Sequence, residues 1–317
     1  MYDTIRFWIK RGEVCPAGIL LLLPNVRRHR NKQGIPYYYG KFKNFTVTVS
    51  KFGVFIQGSL AKYHFGNNIE TLRFDQVENV LERLSNDFGV DLKTALVTRI
   101  DFSTVILTDQ TPARYFKFLG KSGRCRRYLH PSKLSLYYNL NDRVLIFYDK
   151  TAEAQANGVC IPSEFVGQSL FRYELRFLRG ARRQLKLPHN ITGATLYDGD
   201  FYRLMVQWWH DKFIKISKIN TMKTHTIKQP KQAVNAYLRK LALKEGQAPF
   251  DDFVMGVNFS DPKYRSRAKK MFNDLLTNPA GEKAGLVAEL EVKIAEKAEQ
   301  AHAETHNDNS NINPLKK

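Results

Sequence analysis

Two segments of this chain alternate charged with apolar residues at a period that a β-strand, and no helix, can honour. In Phe171-Arg172-Tyr173-Glu174-Leu175-Arg176-Phe177 the period of two gathers Arg172, Glu174 and Arg176 on one face. In Thr98-Arg99-Ile100-Asp101-Phe102-Ser103 it gathers Arg99, Asp101 and Ser103 against Ile100 and Phe102. A third segment, Val144–Lys150, brings Tyr148 and Lys150 to one face at its end. A carboxylate flanked by arginines is costly to bury unless the charges are paired or used. The chain must therefore build a sheet with one apolar face and one polar face. That polar face is either a lattice of ion pairs or a site.

The remaining pattern places this sheet in an α+β fold. Thr4–Ile9 alternates as a first strand, and Phe45–Ser50 with Gly53–Gln57 reads as a strand pair around a short turn. Asp75 followed by Glu78 has capping-box spacing, Val77, Leu81, Leu84 and Phe88 repeat at helical intervals, and Gly89 closes the helix. A strand over Ala95–Leu107 and a short helix from Thr111-Pro112 to Gly120 follow. Leu134–Tyr138 and Arg143–Tyr148 form a hairpin across the polar turn 139–142, and Phe171–Phe177 is the next strand. After Gly199 the chain reads as helical over Asp200–Lys215, Gln229–Lys244 and Lys263–Leu276. Gly281–Glu304, rich in Ala, Glu and Lys, reads as a surface helix, and Asn307–Lys317 as a disordered tail. The expected architecture is a central, largely antiparallel sheet with flanking helices over 1–215, a helical C-terminal region over 216–304 and a tail over 305–317.

A net charge of +20 favours a polyanionic partner, nucleic acid or an acidic membrane face. From Gly281 onward the net charge is −2, so +22 falls on the first 280 residues and belongs to the folded body. No run of about 18 uncharged apolar residues is present, as a spanning helix requires; the run Ala17–Leu23 stops at Pro24, and no leader pattern is seen at the start. Cys15, Cys125 and Cys160 lack CxxC spacing and read as thiols of a reducing cytoplasm. Arg27, Arg28, Arg30 and Lys32 precede Tyr37, Tyr38, Tyr39, Lys41 and Lys43. Clustered cations beside aromatic rings suit single-stranded DNA, with charge following the backbone and rings stacking on bases; a basic loop followed by a core strand would look the same. Arg124, Arg126 and Arg127, and Arg182 and Arg183, flank the candidate strands as further phosphate contacts, with Lys62, Arg172 and Arg176 beside them.

If the three polar strands pair, Asp101 and Glu174 could hold Mg²⁺ or Mn²⁺, which prefer carboxylate oxygen. Tyr148 would then face a phosphate polarised by the metal and attack it to leave a phosphotyrosine. Lys150 would lower the phenol's pKa or neutralise developing charge. Glu153 is a third ligand, a proton acceptor, or a solvated residue at a helix start.

The strings Thr98–Phe102, Phe147–Lys150 and Phe171–Phe177, in that order, resemble the filamentous-phage gene II/X replication initiators and related plasmid rolling-circle initiators. Gly58–Lys62, Gly66-Asn67-Asn68 and Leu185–Pro188 add to the likeness, which covers roughly 1–215. The resemblance implies an HUH-like nickase core in an acidic variant. Such a protein cuts one strand of a duplex origin, stays attached to the 5′ phosphate and later rejoins the strand, working in the host cytoplasm with a host helicase and polymerase. It carries the nucleophile's role onto Tyr148 and the metal role onto Asp101 and Glu174. One departure is that no His-x-His pair occurs among the eight histidines, which shifts the metal onto carboxylates. Tyr137, Tyr138, Tyr197 and Tyr202 are rival nucleophiles. The contrasting reading is a non-catalytic single-stranded DNA-binding or repressor protein, in which Asp101 and Glu174 only pair with Arg99, Arg172 or Arg176.

Overall fold

The computed structural model describes residues 1–219, 238, 247–257, 259–277 and 285–307. Its strands are β1 (Tyr2–Lys10), β2 (Arg27–Arg30), β3 (Pro36–Phe42), β4 (Phe45–Ser50), β5 (Gly53–Ser59), β6 (Leu96–Thr108), β7 (Arg126–Leu129), β8 (Ser135–Leu140), β9 (Arg143–Asp149) and β10 (Ser169–Phe177). They form one ten-stranded sheet in the order β2-β3-β4-β5-β1-β6-β10-β9-β8-β7, antiparallel throughout. The described helices are α1 (Pro16–Leu21), α2 (Leu60–Phe65), α3 (Phe74–Phe88), α4 (Pro112–Phe116), α5 (Lys150–Ala156), α6 (Ala181–Gln184), α7 (Gly199–Ile214), α8 (Gln247–Gly256), α9 (Pro262–Thr277) and α10 (Gly285–Asn307). The α+β class and the antiparallel sheet agree with the sequence. None of the described helices is long and apolar enough to cross a membrane.

One face of the sheet is the core. Ile5, Phe7, Val47, Ile56, Ile100, Phe102, Leu145, Phe147, Tyr173 and Leu175 are buried there with Leu81 and Leu84 of α3 and Met205 and Trp209 of α7. The Tyr173 ring stacks between Phe147 at 4.5 Å and Trp209 at 4.6 Å, and its hydroxyl donates to the Trp209 carbonyl at 2.8 Å. Burying each such side chain contributes roughly 1.5–3 kcal/mol, so the periodic apolar residues read from the sequence are what fixes the helices on this face.

Several expectations are corrected. The α3 helix begins before Asp75: Gln76 Oε1 accepts the Arg73 N–H at 3.0 Å, and Asp75 pairs with the Arg73 guanidinium instead of capping. The α4 helix stops at Phe116, and the Gly120 N–H is spent on the Ser217 carbonyl at 2.8 Å. The hairpin turn tightens to Asn141-Asp142. Arg27–Arg30 is an edge strand of exposed residues rather than a loop.

The largest correction concerns α10, expected as a surface helix. Leu290, Ile294, Ala298 and Ala301 are buried in the same core, against α7, α3 and β6. Its Glu289 accepts from the Tyr115 hydroxyl at 2.6 Å, and Glu304 accepts the Phe74 N–H at the start of α3 at 2.8 Å. Two alanines complete its buried stripe, which is why composition disguised it. The expected helix Gln229–Lys244 lies outside the described residues apart from 238, and the expected tail does so from 308 onward.

Candidate functional site

Cross-strand partners in an antiparallel pair lie on the same face, so register decides which polar side chains meet. Arg176 of β10 stands opposite Asp101 of β6, Glu174 opposite Ser103 and Arg172 opposite Val105. On the other side, Arg172 stands opposite Tyr148 and Glu174 opposite Ile146 of β9. Arg99, Asp101, Ser103, Arg172, Glu174, Arg176 and Tyr148 therefore share the face away from the main core, as the three sequence segments require.

Asp101 and Glu174 lie beneath a lid of guanidinium groups. Arg99 clamps Asp101 with Nε to Oδ1 at 2.9 Å and Nη2 to Oδ2 at 2.5 Å. Arg176 clamps Glu174 with Nε to Oε1 at 2.8 Å and Nη2 to Oε2 at 3.1 Å, and its Nε lies 3.5 Å from Asp101. Each carboxylate is only 1% exposed, and their charges bear on one another. Burial, with the Glu174 charge adding to it and Arg99 opposing, pushes Asp101 up to about 7. Burial alone would raise Glu174 as well, but Arg176 outweighs it and holds that carboxyl below its ordinary value. The pair thus keeps a proton on Asp101 into the neutral range.

The donor chemistry of this pair suits Mg²⁺ or Mn²⁺, yet its oxygens are already taken by two bidentate arginines. Glu153, expected as a third ligand, instead accepts from Lys150 Nζ at 2.5 Å and Asn157 Nδ2 at 2.8 Å. Among the described residues no three of His, Cys, Asp and Glu are grouped to hold a metal. In this arrangement the residues do not fit a divalent cation.

Lys150 does not end the strand but opens α5, capped by Asp149, whose Oδ1 accepts the Ala152 N–H at 2.9 Å. Its ammonium is buried, donating to Glu153 and to Asn68 Oδ1 at 2.7 Å. The cation acting on Tyr148 is Arg172 instead. Burial raises the Tyr148 phenol well above its ordinary value, and Arg172 is the foremost influence opposing that rise. No described residue hydrogen-bonds the Tyr148 hydroxyl. The rival tyrosines separate by face. The Tyr138 hydroxyl is buried and donates to the Leu119 and Gly120 carbonyls, and Tyr202 is buried in the core with its hydroxyl beside Glu304. Tyr137 shares the Tyr148 face, opposite Ile146, and Tyr197 lies under the Lys93 ammonium away from the sheet.

The expected DNA contacts divide between the open face and the interior. A rung of the open face runs Arg27, Tyr39, Thr48, Phe55, Trp8, and a second runs Lys41, Thr46, Gln57, Arg6, Arg99. Arg28 and Tyr38 alternate to the other side at the sheet's edge, Arg30 binds the Gly34 carbonyl at 3.0 Å, and Lys32 and Lys62 are exposed. Arg124 and Arg126 are exposed at the opposite edge, and Arg126 lies on the open face through Asn139 and Val144. Arg172 and Arg127 are committed inside the fold. Arg172 is buried, bound to Asp3 Oδ2 and Ser103 Oγ at 2.7 Å each and to the Asn68 carbonyl, so it cannot reach DNA. Arg127 holds the Leu119 and Phe116 carbonyls, whereas Lys43, paired with Asp87 at 2.6 Å, and Arg182, bonded to the Leu187 and Pro188 carbonyls, are exposed. Arg183 is exposed and pairs with Asp142 at 2.8 Å. Sequence reasoning gave Asp3 no role and named Asn68 only within the Gly66-Asn67-Asn68 likeness. The local signal for Asp3 was an acid in the first strand, whereas the contact of Asn68 with Arg172 and Lys150 is set by the fold.

Residues 41–193 match the family model described as the N-terminal region of the gene II replication-associated protein. That span holds all three polar strands and is narrower than the likeness read over 1–215. No curated protein matches the chain.

Proposed function

Because residues 41–193 belong to the gene II family of phage rolling-circle replication initiators, we propose that the chain nicks one strand of a duplex origin through Tyr148. The carrying observation is that Tyr148, Glu174 and Asp101 lie on one face of three adjacent strands within the matched span. In the proposed step the phenolic oxygen attacks phosphorus and the bond from phosphorus to the 3′ oxygen breaks. The 3′ oxygen leaves as a hydroxyl after taking up a proton from water, and the 5′ end stays on the protein as a phosphotyrosine. The phenol's own proton passes to water, because both Glu174 oxygens are held by Arg176. Arg172 is the positioning residue that moderates the phenol's raised pKa. Reversal of the same step rejoins the strand. On this reading the sheet is an acidic variant of the HUH nickase core, acting in the host cytoplasm beside a host helicase and polymerase.

Participation of Mg²⁺ or Mn²⁺ at Asp101 and Glu174, with Glu153 as third ligand, belongs to this proposal only if Arg99 and Arg176 leave the carboxylates. The arginine clamps equally support a second reading, a DNA-binding or repressor protein with a structural acid pair. Incubating the protein with an origin oligonucleotide, with and without Mg²⁺ or Mn²⁺, separates the two on a denaturing gel. A covalent adduct that Tyr148→Phe abolishes supports the nickase. An adduct that survives Tyr148→Phe moves the nucleophile elsewhere. Tight binding with no adduct under any metal condition favours the second reading.

A further inference from the structure

Between the start of β6 and the segment that follows β10 lies a cavity of about 320 Å³, lined by Arg6, Thr98, Arg179, Arg182 and Asn190 over an apolar floor that includes Val97 and Ile191. A register shift in β1 sets Arg6 directly opposite Arg99 on the open face. Arg99 spends its charge on Asp101, but among the described residues Arg6 makes no ion pair. Its Nε donates to Thr98 Oγ1 at 2.9 Å, and Thr98 Oγ1 donates back to the Arg6 carbonyl at 3.2 Å, so the guanidinium is oriented but not neutralised. Arg182 likewise bonds only uncharged acceptors, the Leu187 and Pro188 carbonyls and Asn190 Oδ1. Arg179 shares the single Asp142 carboxylate with Arg183. Like charges set side by side are stabilised by an anion placed between them. Burial and the adjoining Arg99 both weigh against the Arg6 charge, with Asp101 countering.

We infer that this cavity is a phosphate subsite for a DNA strand, held by Arg6 and Arg182. An anion there would sit at the end of the rung that begins at Lys41 and passes Gln57, one strand from the acid pair. The apolar floor suits a deoxyribose carried with the phosphate. The inference rests on the reading of the open face as the DNA-handling face, but not on Tyr148 being a nucleophile.

The test is fluorescence anisotropy of the full chain with a labelled single-stranded oligonucleotide, over a salt series. Arg6→Gln should weaken binding about 10-fold at low salt and lower the slope of log K against log salt by about one. Arg182→Gln should do the same, and the double variant should lower the slope by about two. Inorganic phosphate at millimolar concentration should compete less well against Arg6→Gln than against the parent. Thermal melting identifies variants that fail to fold, and Thr98→Val, which keeps both charges, should retain the full slope. Folded Arg6→Gln and Arg182→Gln with unchanged slopes overturn the subsite. A parent protein that forms no covalent adduct while these slopes fall removes the nickase and leaves the subsite standing.

Discussion

Along β10, neighbouring residues meet opposite surroundings: Tyr173, Leu175 and Phe177 lie in the helix-packed core, whereas Arg172, Glu174 and Arg176 line the other face. On the core side the buried tyrosines Tyr138 and Tyr173 give their hydroxyls to backbone carbonyls. On the other side the Tyr148 hydroxyl has no such partner among the described residues. The polar face also divides along its length. At the end covered by α5 and the Asn68 loop, Arg172 and Lys150 are locked by Asp3, Ser103, Glu153 and Asn68. At the open end, Arg99 and Arg176 lie over the carboxylates and remain partly exposed. One strand thus supplies a structural arginine and a surface arginine four residues apart.

The comparison breaks first at Arg172. Arg172→Met should destabilise the fold by about 3–5 kcal/mol, because it leaves Asp3 buried without its partner. Urea denaturation should show this, and a loss under about 1 kcal/mol would mean that the covered end is as solvated as the open one. On the core side, Ile294→Ala should cost about 2–5 kcal/mol by opening a cavity. A cost near zero in the same measurement would return α10 to the surface. The smallest effect sharpens the acid pair. With its native pKa raised to about 7, Asp101 holds more protons folded than unfolded, so its contribution to stability falls as pH rises from about 4 toward 7. Glu174, held low, acts the other way only below its ordinary range. Melting temperature followed across that window should lose this part of its slope in Asp101→Asn, and identical slopes would show that no proton is shared.

Strand identity, the antiparallel sheet and the co-facial set of Arg99, Asp101, Arg172, Glu174, Arg176 and Tyr148 were legible because alternation is a local property. The partners were not. Nothing in the Lys150 neighbourhood reveals that its charge goes to Glu153 and Asn68, or that Arg172 is the cation bearing on Tyr148. The edge strand Arg27–Arg30 was hidden because an exposed strand has no apolar alternation to betray it. The α10 stripe was hidden because alanine counts little in a hydrophobic pattern yet packs well against a close neighbour.

By itself the sequence determined which residues could share a face, since the period of two follows from backbone geometry wherever a strand forms. It also determined that the positive charge lies in the first 280 residues. Tertiary structure alone decided which charges are spent. Register sets Arg6 beside Arg99 and Arg176 beside Asp101 across strands far apart in the chain. Pairing energies fall off within a few ångströms, so only that register separates the buried Arg172 from the arginines left facing solvent.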